Sequence, residues 1–399
     1  MARLMDDAQA RRDVSLPALA VTEIALVNFR SYISATLKLE PRPVVLAGAN
    51  GTGKTNCLEA ISLLSPGRGL RAAKLPALQR KAPLEANAQR ADAFSDSLWA
   101  VAAKIARPDG VWDIGTGLVA PASAGIPRRA LHLNGAPAQA ADLAELLPIL
   151  WLTPAMDRLF LDGAGERRRF LDRLVFALDS AHARRAARYE RAMYERLKLL
   201  REGIGNPSWL AGLEETMAQA GSAVSGARLF AIEKLNAELL SRGAEGAFPC
   251  AHLALIDALG ERAADTKVLQ DALAASRERD AEAGRTSVGP HLADLEVRHT
   301  LKRADARDCS TGEQKSLLIS IILADAWLQK KRRDGIAPLL LLDEIAAHLD
   351  AARREALFEE ILALEAQAWL SGTDKTLFAP LLEEAQCFTI AGGMFVRQD

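Results

Sequence analysis

The chain has 399 residues, of which 49% are hydrophobic and 25% charged, with a formal net charge of −1. That balance suits a globular protein with a real core and excludes a disordered chain. A net charge near zero does not mark a nucleic-acid binder, so any such contact must come from local clusters. Four cysteines (Cys57, Cys250, Cys309 and Cys387) form no CxxC pair and no Cys/His ligand spacing. This points away from a zinc site or disulfide framework and toward a reducing, cytoplasmic compartment. The most apolar stretch, residues 317–328, is broken by Asp325 and is too short to span a bilayer, so no membrane anchor is expected.

Residues 1–20 carry Asp6, Asp7, Arg11, Arg12 and Asp13 without the apolar stretch of a signal peptide, and read as a loose polar tail. Residues 21–27 are rich in β-formers and read as a strand; 44–46 form a short buried strand ending at Gly48. A helix follows from Lys54 through Leu58, Ile61, Leu63 and Leu64, ending near Pro66-Gly67. Residues 99–105, 112–118 and 130–133 read as strands, with Asn134-Gly135 a strong hairpin turn, and 149–152 as a strand stopped by Pro154.

The texture changes near Gly165. Phe170, Leu174 and Leu178, then Tyr189, Met193 and Leu197, recur every four residues among charges, the mark of amphipathic helix. Gly205 to Pro207 breaks it; a second helical segment runs to about Leu240 and a third covers 268–281. After Pro290 the α/β texture returns: a strand at 292–297, a strong helix at 312–331, a buried strand at Leu339-Leu340-Leu341-Leu342, a helix at 353–364, and strands at 369–370 and 387–390. The predicted fold is α/β: a P-loop head, residues 21–153 and 284–399, split by a helical insertion lobe over 154–283.

Gly48-Ala49-Asn50-Gly51-Thr52-Gly53-Lys54-Thr55 fits GxxxxGK[ST] at every position, between an apolar strand and a helix. The glycines let backbone N–H groups converge on phosphates, Lys54 supplies a mobile positive charge, and Thr55 offers a hydroxyl to Mg²⁺. The strand at 339–342 delivers Asp343-Glu344 to its C-terminal end. Beside a P-loop, Asp343 is placed to hold Mg²⁺ and Glu344 to act as general base on water; taken alone, the pair also reads as an acidic helix start. Ser310-Thr311-Gly312-Glu313-Gln314 precedes the apolar helix. It reads either as an anion-binding helix start or as a capping box between Ser310 and Glu313.

The order of these motifs, closed by Ala346-Ala347-His348-Leu349-Asp350, resembles the ABC-class ATPases, in which the last segment is a D-loop crossing a dimer interface. Further segments resemble the RecF family. They are Leu26-Val27-Asn28-Phe29-Arg30-Ser31-Tyr32, Gly51-Thr52-Gly53-Lys54-Thr55-Asn56, Ser65-Pro66-Gly67-Arg68-Gly69-Leu70-Arg71, Glu166-Arg167-Arg168-Arg169-Phe170-Leu171-Asp172 and Gly289-Pro290-His291-Leu292-Ala293-Asp294-Leu295. The resemblance implies a protein that binds ATP, with Mg²⁺, and DNA, and that dimerises on ATP. It further implies work with RecO and RecR to load the strand-exchange recombinase at single-strand gaps, in recombinational repair linked to replication and the SOS response. A slow, DNA-dependent ATP hydrolysis would serve as the switch. Nucleotide contacts are then expected from the P-loop through Asn56, and from Ser310, Gly312, Glu313 and Gln314.

The chain departs from transporter ATPases in three places. Its signature reads SxGEQ; Ser371-Gly372-Thr373-Asp374 stands where a histidine switch would be; and no glutamine lies in residues 153–157. More than 250 residues between P-loop and signature also argue against a transporter subunit. A nuclease or topoisomerase-like enzyme would need an added acidic metal cluster, which the insertion lacks; a nucleotide-dependent scaffold without DNA would lack salt-sensitive DNA binding. Candidate DNA contacts are Arg68, Arg71, Arg167, Arg168 and Arg169, each of which also reads as a solvated or ion-paired arginine. The same holds for the clusters at Arg184, Arg185, Arg188 and Arg191 and at Lys330, Lys331, Arg332 and Arg333.

Overall fold

A computed structural model describes residues 16–81, 97–120, 126–203, 207–243 and 246–398. The chain divides into two compact units, one built from Met1–Pro154 with Lys330–Asp399 and the other from Ala155–Gln329. The first unit begins with β1 (Ala20–Phe29), β2 (Tyr32–Lys38), β3 (Val44–Ala47), α1 (Lys54–Ser62), β4 (Ser97–Arg107), β5 (Gly110–Val119), β6 (Arg128–Leu133), β7 (Ala136–Pro137), α2 (Ala140–Leu146) and β8 (Ile149–Leu152). The second unit follows with α3 (Ala164–Leu178), α4 (His182–Glu202), α5 (Pro207–Gly243), β9 (Ala251–Ile256), α6 (Thr266–Ala275), α7 (Arg277–Ala283), β10 (Asp294–His299), β11 (Ala304–Asp305) and α8 (Thr311–Arg332). The first unit then closes with β12 (Leu339–Leu342), α9 (Ala351–Leu364), β13 (Ala368–Gly372), β14 (Gln386–Ala391) and β15 (Met394–Gln398).

Two sheets build the first unit. One has the order β2-β1-β4-β5-β6-β7 and is antiparallel throughout. Asn134 and Gly135 both take positive φ, 49° and 79°, and let Leu133 pair with Ala136, as a two-residue hairpin whose turn matches the twist of its strands requires. The other sheet has the order β15-β14-β3-β13-β12-β8, parallel except for β15. Every residue of β3, β12 and β8 is buried, which is why these strands appear in sequence as bare apolar runs without alternation. Two buried glutamines stitch the sheets together. Gln367 accepts from the Val21 N–H at 2.8 Å and donates to the Val21 carbonyl at 3.0 Å; Gln386 does the same with Glu40, both at 2.9 Å.

In the second unit α4 and α5 pack together around Tyr189, Leu199, Leu213 and Met217, with Leu269 and Leu273 of α6. A charged network lies inside this apolar core. Arg196, fully buried, donates to Glu214 at 3.0 Å, to Asp280 at 2.7 Å and to the Leu273 carbonyl at 2.8 Å. Asp280 also accepts from Ser276 at 2.7 Å and from the Ser287 N–H at 2.9 Å, so α4, α5 and α7 meet on one guanidinium.

The structure departs from the sequence-based expectations at several points. Residues 1–15 of the expected tail lie outside the described residues, but Leu19 and Ala20 are buried and Ala20 opens β1. The helix expected from Gly165 is two helices. Asp179 accepts from the Ala181 N–H at 3.0 Å and pairs with Arg185, a local turn that stops α3 and starts α4. Of the break expected at Gly205 to Pro207, the first two residues lie outside the described residues, and Pro207 opens α5. Strands β2, β9 and β15 were not expected. The sequence texture places the return to the head at 284, whereas the second compact unit runs on to Gln329. The reason is that β10 pairs antiparallel with β9, Leu295 opposite Leu255 and Val297 opposite Leu253, and so belongs to the second unit.

Truncating Arg196 leaves the buried Asp280 without its cation and Glu214 with Arg277 alone. Arg196→Ala is expected to destabilise the protein by about 3–5 kcal/mol. Arg277→Ala removes only the partly exposed second partner of Glu214 and should cost less than about 1 kcal/mol. Urea unfolding of both variants measures the difference.

Candidate nucleotide site

The P-loop begins where β3 ends. The Gly48 N–H donates to the Gly372 carbonyl of β13 at 3.1 Å, and Gly51 and Gly53 take φ of 83° and 117°, values that a side chain disfavours. At Gly53 a Cβ would also stand 2.9 Å from Ser31 Oγ and 3.1 Å from the Tyr32 hydroxyl, which donates to the Gly53 carbonyl at 3.0 Å. The loop is thus pressed against the turn between β1 and β2. Helix α1 starts at Lys54 with no side-chain cap and no acidic residue in its first turn. Its free N–H groups and positive dipole end are left for an anion.

The functional side chains converge at the C-terminal ends of β3, β13 and β12. Lys54 is buried; its ammonium donates to the carbonyls of Gly48 at 2.6 Å and Ala49 at 3.0 Å, and lies 3.5 Å from Glu344 Oε1. Thr55 donates its hydroxyl to Asp343 Oδ1 at 2.9 Å. Ser371, at the end of β13, donates to the same oxygen at 2.6 Å and accepts from the Glu344 N–H at 3.0 Å. Asn56 donates to Ser31 Oγ at 3.0 Å and accepts from Arg71 at 3.1 Å. A hydroxyl and a carboxylate held together at the foot of an anion-binding loop are hard oxygen donors, the kind that Mg²⁺ prefers. Thr55 and Asp343 therefore fit that ion.

The segment Ser310 to Gln314 lies in the second unit, at the start of α8. Glu313 Oε2 accepts from the Ser310 N–H at 3.0 Å and from its hydroxyl at 2.9 Å, and Glu313 Oε1 pairs with Lys302 from the turn between β10 and β11. Gln314 donates to the Cys309 carbonyl at 2.9 Å and Ser316 to the Gly312 carbonyl at 2.8 Å. The glutamate half of the capping-box reading is present, Glu313 reaching back to the Ser310 N–H, with Lys302 added. Lys302 first, then the Ser310 N–H and hydroxyl, hold the Glu313 carboxyl down to about 2. In residues 153–157, where a glutamine is missing, Asp157 pairs at 3.2 Å with the buried Lys315 of α8.

The arginines divide by partner. Arg167 is buried, with a bidentate pair to Asp294 at 2.8 and 2.7 Å that ties α3 to β10. This guanidinium is committed inside the unit and is removed from the candidate DNA contacts. Arg168 donates to the Ala293 carbonyl at 2.7 Å, and Arg169 is an exposed partner of Glu166. Arg68 is exposed; Arg71 is exposed and lies 3.5 Å from Glu59, a fully buried carboxylate that Arg30 grips at 2.7 and 2.8 Å. Sequence reasoning missed Ser371, Lys302, Arg30 and Arg129. Arg129, from β6, donates to the carbonyls of Leu63, Ser65 and Gly67 and so fixes the segment that carries Arg68. Ser371, Lys302 and Arg129 have no local signal, because strand pairing and hairpin turns bring them to their partners; Arg30 stands in a segment that resembles the RecF family, but its partner Glu59 is on α1.

This fold and site define a head of the RecF/SMC ATPase class. The sequence matches the RecF/RecN/SMC N terminal domain family over residues 20–379. It is 47% identical over 381 residues to the DNA replication and repair protein RecF of Rhizobium etli, covering 94% of this chain and 98% of that protein. To the RecF of Agrobacterium fabrum it is 45% identical, with 94% and 98% covered. In structure it is similar to the recombination mediator protein RecF-ATP of the RecFOR pathway, with a TM-score of 0.80 at 22% identity over 96% of this chain and 99% of that one. The likeness to an Smc head domain with an extended coiled coil from Pyrococcus furiosus is weaker, with a TM-score of 0.54 at 17% identity over 96% of each chain. The chain belongs to the RecF family of DNA replication and repair proteins. Among the described residues no helix is long and apolar enough to cross a membrane.

A depressed carboxyl pKa means that the bonds of Glu313 help the fold above the ordinary glutamate value of about 4.3. They are lost as pH falls from there toward about 2. Lys302→Ala should raise the Glu313 pKa toward the ordinary range, as read by carboxyl carbon NMR across a pH titration. A value still near 2 would assign the whole effect to Ser310.

Proposed function

We propose that the protein is an ATP-gated, DNA-binding dimer of recombinational repair, acting in the cytoplasm with RecO and RecR to load the recombinase at replication gaps. The observation that carries the reading is the convergence of Lys54, Thr55, Asp343 and Glu344 at one end of three adjacent buried strands. The names and pathway of the relatives support the DNA-repair role, and four free cysteines fit a reducing compartment.

In this reading the N–H groups of Gly48, Ala49, Asn50, Gly51, Thr52 and Gly53 and of the first turn of α1 cradle the phosphates of ATP, with Lys54 turning from its loop carbonyls toward them. Thr55 and Asp343 would hold Mg²⁺, which supplies charge neutralisation when bound. Glu344 takes the proton of the attacking water as the bond between the γ-phosphorus and the β–γ bridging oxygen breaks. Ser310, Gly312, Glu313 and Gln314 of a second copy close on the nucleotide, the Ser310 hydroxyl exchanging Glu313 for phosphate while Lys302 balances the Glu313 charge. ATP then joins two surfaces that gain little by meeting without it, and slow hydrolysis separates them. Arg68, Arg71, Arg168 and Arg169 are the remaining candidate contacts to DNA phosphates. The surface pair of Arg169 with Glu166 is worth little and readily exchanged.

Glu344→Gln should bind ATP but hydrolyse it at least about 10²-fold more slowly. In that background Ser310→Arg should still bind ATP as a monomer and fail to form the ATP-dependent dimer in sedimentation. Dimerisation equal to the parent would show that the segment does not act across subunits; loss of ATP binding by the monomer would show that it acts within its own.

For DNA, the Arg68→Ala, Arg71→Ala double variant should flatten the dependence of log affinity on log salt by about 1 per lost contact, on all sequences alike. An unchanged slope would move the DNA site elsewhere.

A further inference from the structure

Ser371 is fully buried at the end of β13, where its backbone pairs with Leu46 of β3. A serine hydroxyl has one proton and two lone pairs. Here the proton goes to Asp343 Oδ1 at 2.6 Å and a lone pair takes the Glu344 N–H at 3.0 Å. Asp343 Oδ1 also receives the Thr55 hydroxyl at 2.9 Å, so the P-loop and β13 hold one carboxylate oxygen from two sides. Glu344 has a φ of 53°, in the left-handed region that a residue with a side chain disfavours. The bend that this φ produces coincides with the bond from its N–H to Ser371, and it leaves the Glu344 carboxylate 3.5 Å from Lys54.

We propose that Ser371 is a positioning residue for ATP hydrolysis: its single hydroxyl sets the orientation of Asp343 and the backbone of Glu344 together. The proposal rests on the reading of Glu344 as the general base. Ser371 acts in this proposal through the two carboxylates, being fully buried with its proton already committed to Asp343. Without the hydroxyl, the Glu344 N–H loses its partner in a buried place, where an unmade hydrogen bond is costly. Asp343 would keep only Thr55 and be free to rotate, and Glu344 could relax out of its left-handed bend. Displacements of about 1 Å at such groups slow a reaction by on the order of 10²-fold while leaving the grip on the substrate largely intact. Threonine at this position keeps the hydroxyl and suits a strand, whereas cysteine keeps the size and loses a strong donor.

The test uses full-length Ser371→Ala, Ser371→Cys and Ser371→Thr beside Glu344→Gln. ATP affinity, the Mg²⁺ concentration needed for half-maximal ATP binding, steady-state hydrolysis and thermal midpoint are measured for each. Ser371→Ala and Ser371→Cys should bind ATP within about threefold of the parent at saturating Mg²⁺, need more Mg²⁺ to do so, and turn over at least about 10-fold more slowly. Ser371→Thr should restore both Mg²⁺ dependence and turnover. Parental turnover in the alanine and cysteine variants, with Glu344→Gln inactive, would overturn the role of Ser371 and leave the base in place. Normal turnover in Glu344→Gln would overturn the base first and this proposal with it. If the alanine variant fails to fold, the cysteine variant decides; loss of ATP binding or thermal midpoint in that variant, without rescue by threonine, would make Ser371 a structural residue and overturn the proposal.

Discussion

The Thr55 hydroxyl meets Asp343 Oδ1 at 2.9 Å although 288 positions separate the two residues in sequence. The bond exists because β3, β13 and β12 hold a fixed parallel register, Leu46 beside Ser371 and Leu342 beside Leu370. A slip of one residue would turn every side chain of a strand to the other face and carry Asp343 away from the loop. These strands are buried on both faces, so their apolar side chains oppose any such slip. The chemistry of the site is thus anchored in hydrophobic packing one step behind it. Gln367, at the opposite end of β13 from Ser371, holds that strand to β1.

The second unit uses a different device. Its helices close on Arg196, Glu214 and Asp280, a buried ionic network that is weak evidence for extra stability but demands a particular meeting of three helices. Arg228 acts similarly, gripping Asp172 at 2.8 and 2.9 Å and the Pro290 carbonyl at 2.6 Å. Gly289, at φ 130°, has no room for a Cβ beneath the Tyr189 hydroxyl, which bonds His291 at 2.8 Å. The Gly289-Pro290-His291 segment that resembles the RecF family is therefore a packing joint between α4, α5 and the strand that follows.

Arginine in this protein is as much a structural residue as an electrostatic one. Arg30 fixes α1 through Glu59, Arg129 holds the segment after α1 by its carbonyls, and Arg167 joins α3 to β10. Planar, permanently charged and able to donate five hydrogen bonds, a guanidinium satisfies several buried acceptors at once. Counting basic residues in sequence therefore overstates the surface left for DNA, and the Arg167 to Arg169 run shows it: the first is inside, the second half committed, the third on the surface.

What the sequence determined alone was whatever depends on local spacing and backbone geometry. The P-loop, the buried strands at 149–152 and 339–342, the Asn134-Gly135 hairpin and the start of α8 are legible because glycine, proline and apolar runs act on their own neighbours. The tertiary structure decided which distant groups meet. Strand β9 looked like part of a helical lobe until β10 paired with it, and that pairing keeps β10 in the second unit. Ser371 in sequence was only the place where a histidine is missing; register sets its hydroxyl between Asp343 and Glu344. Hairpin geometry brings Lys302 to Glu313 in the same way. Such meetings leave no local trace, because strand register and helix packing, summed over the whole core, place these side chains.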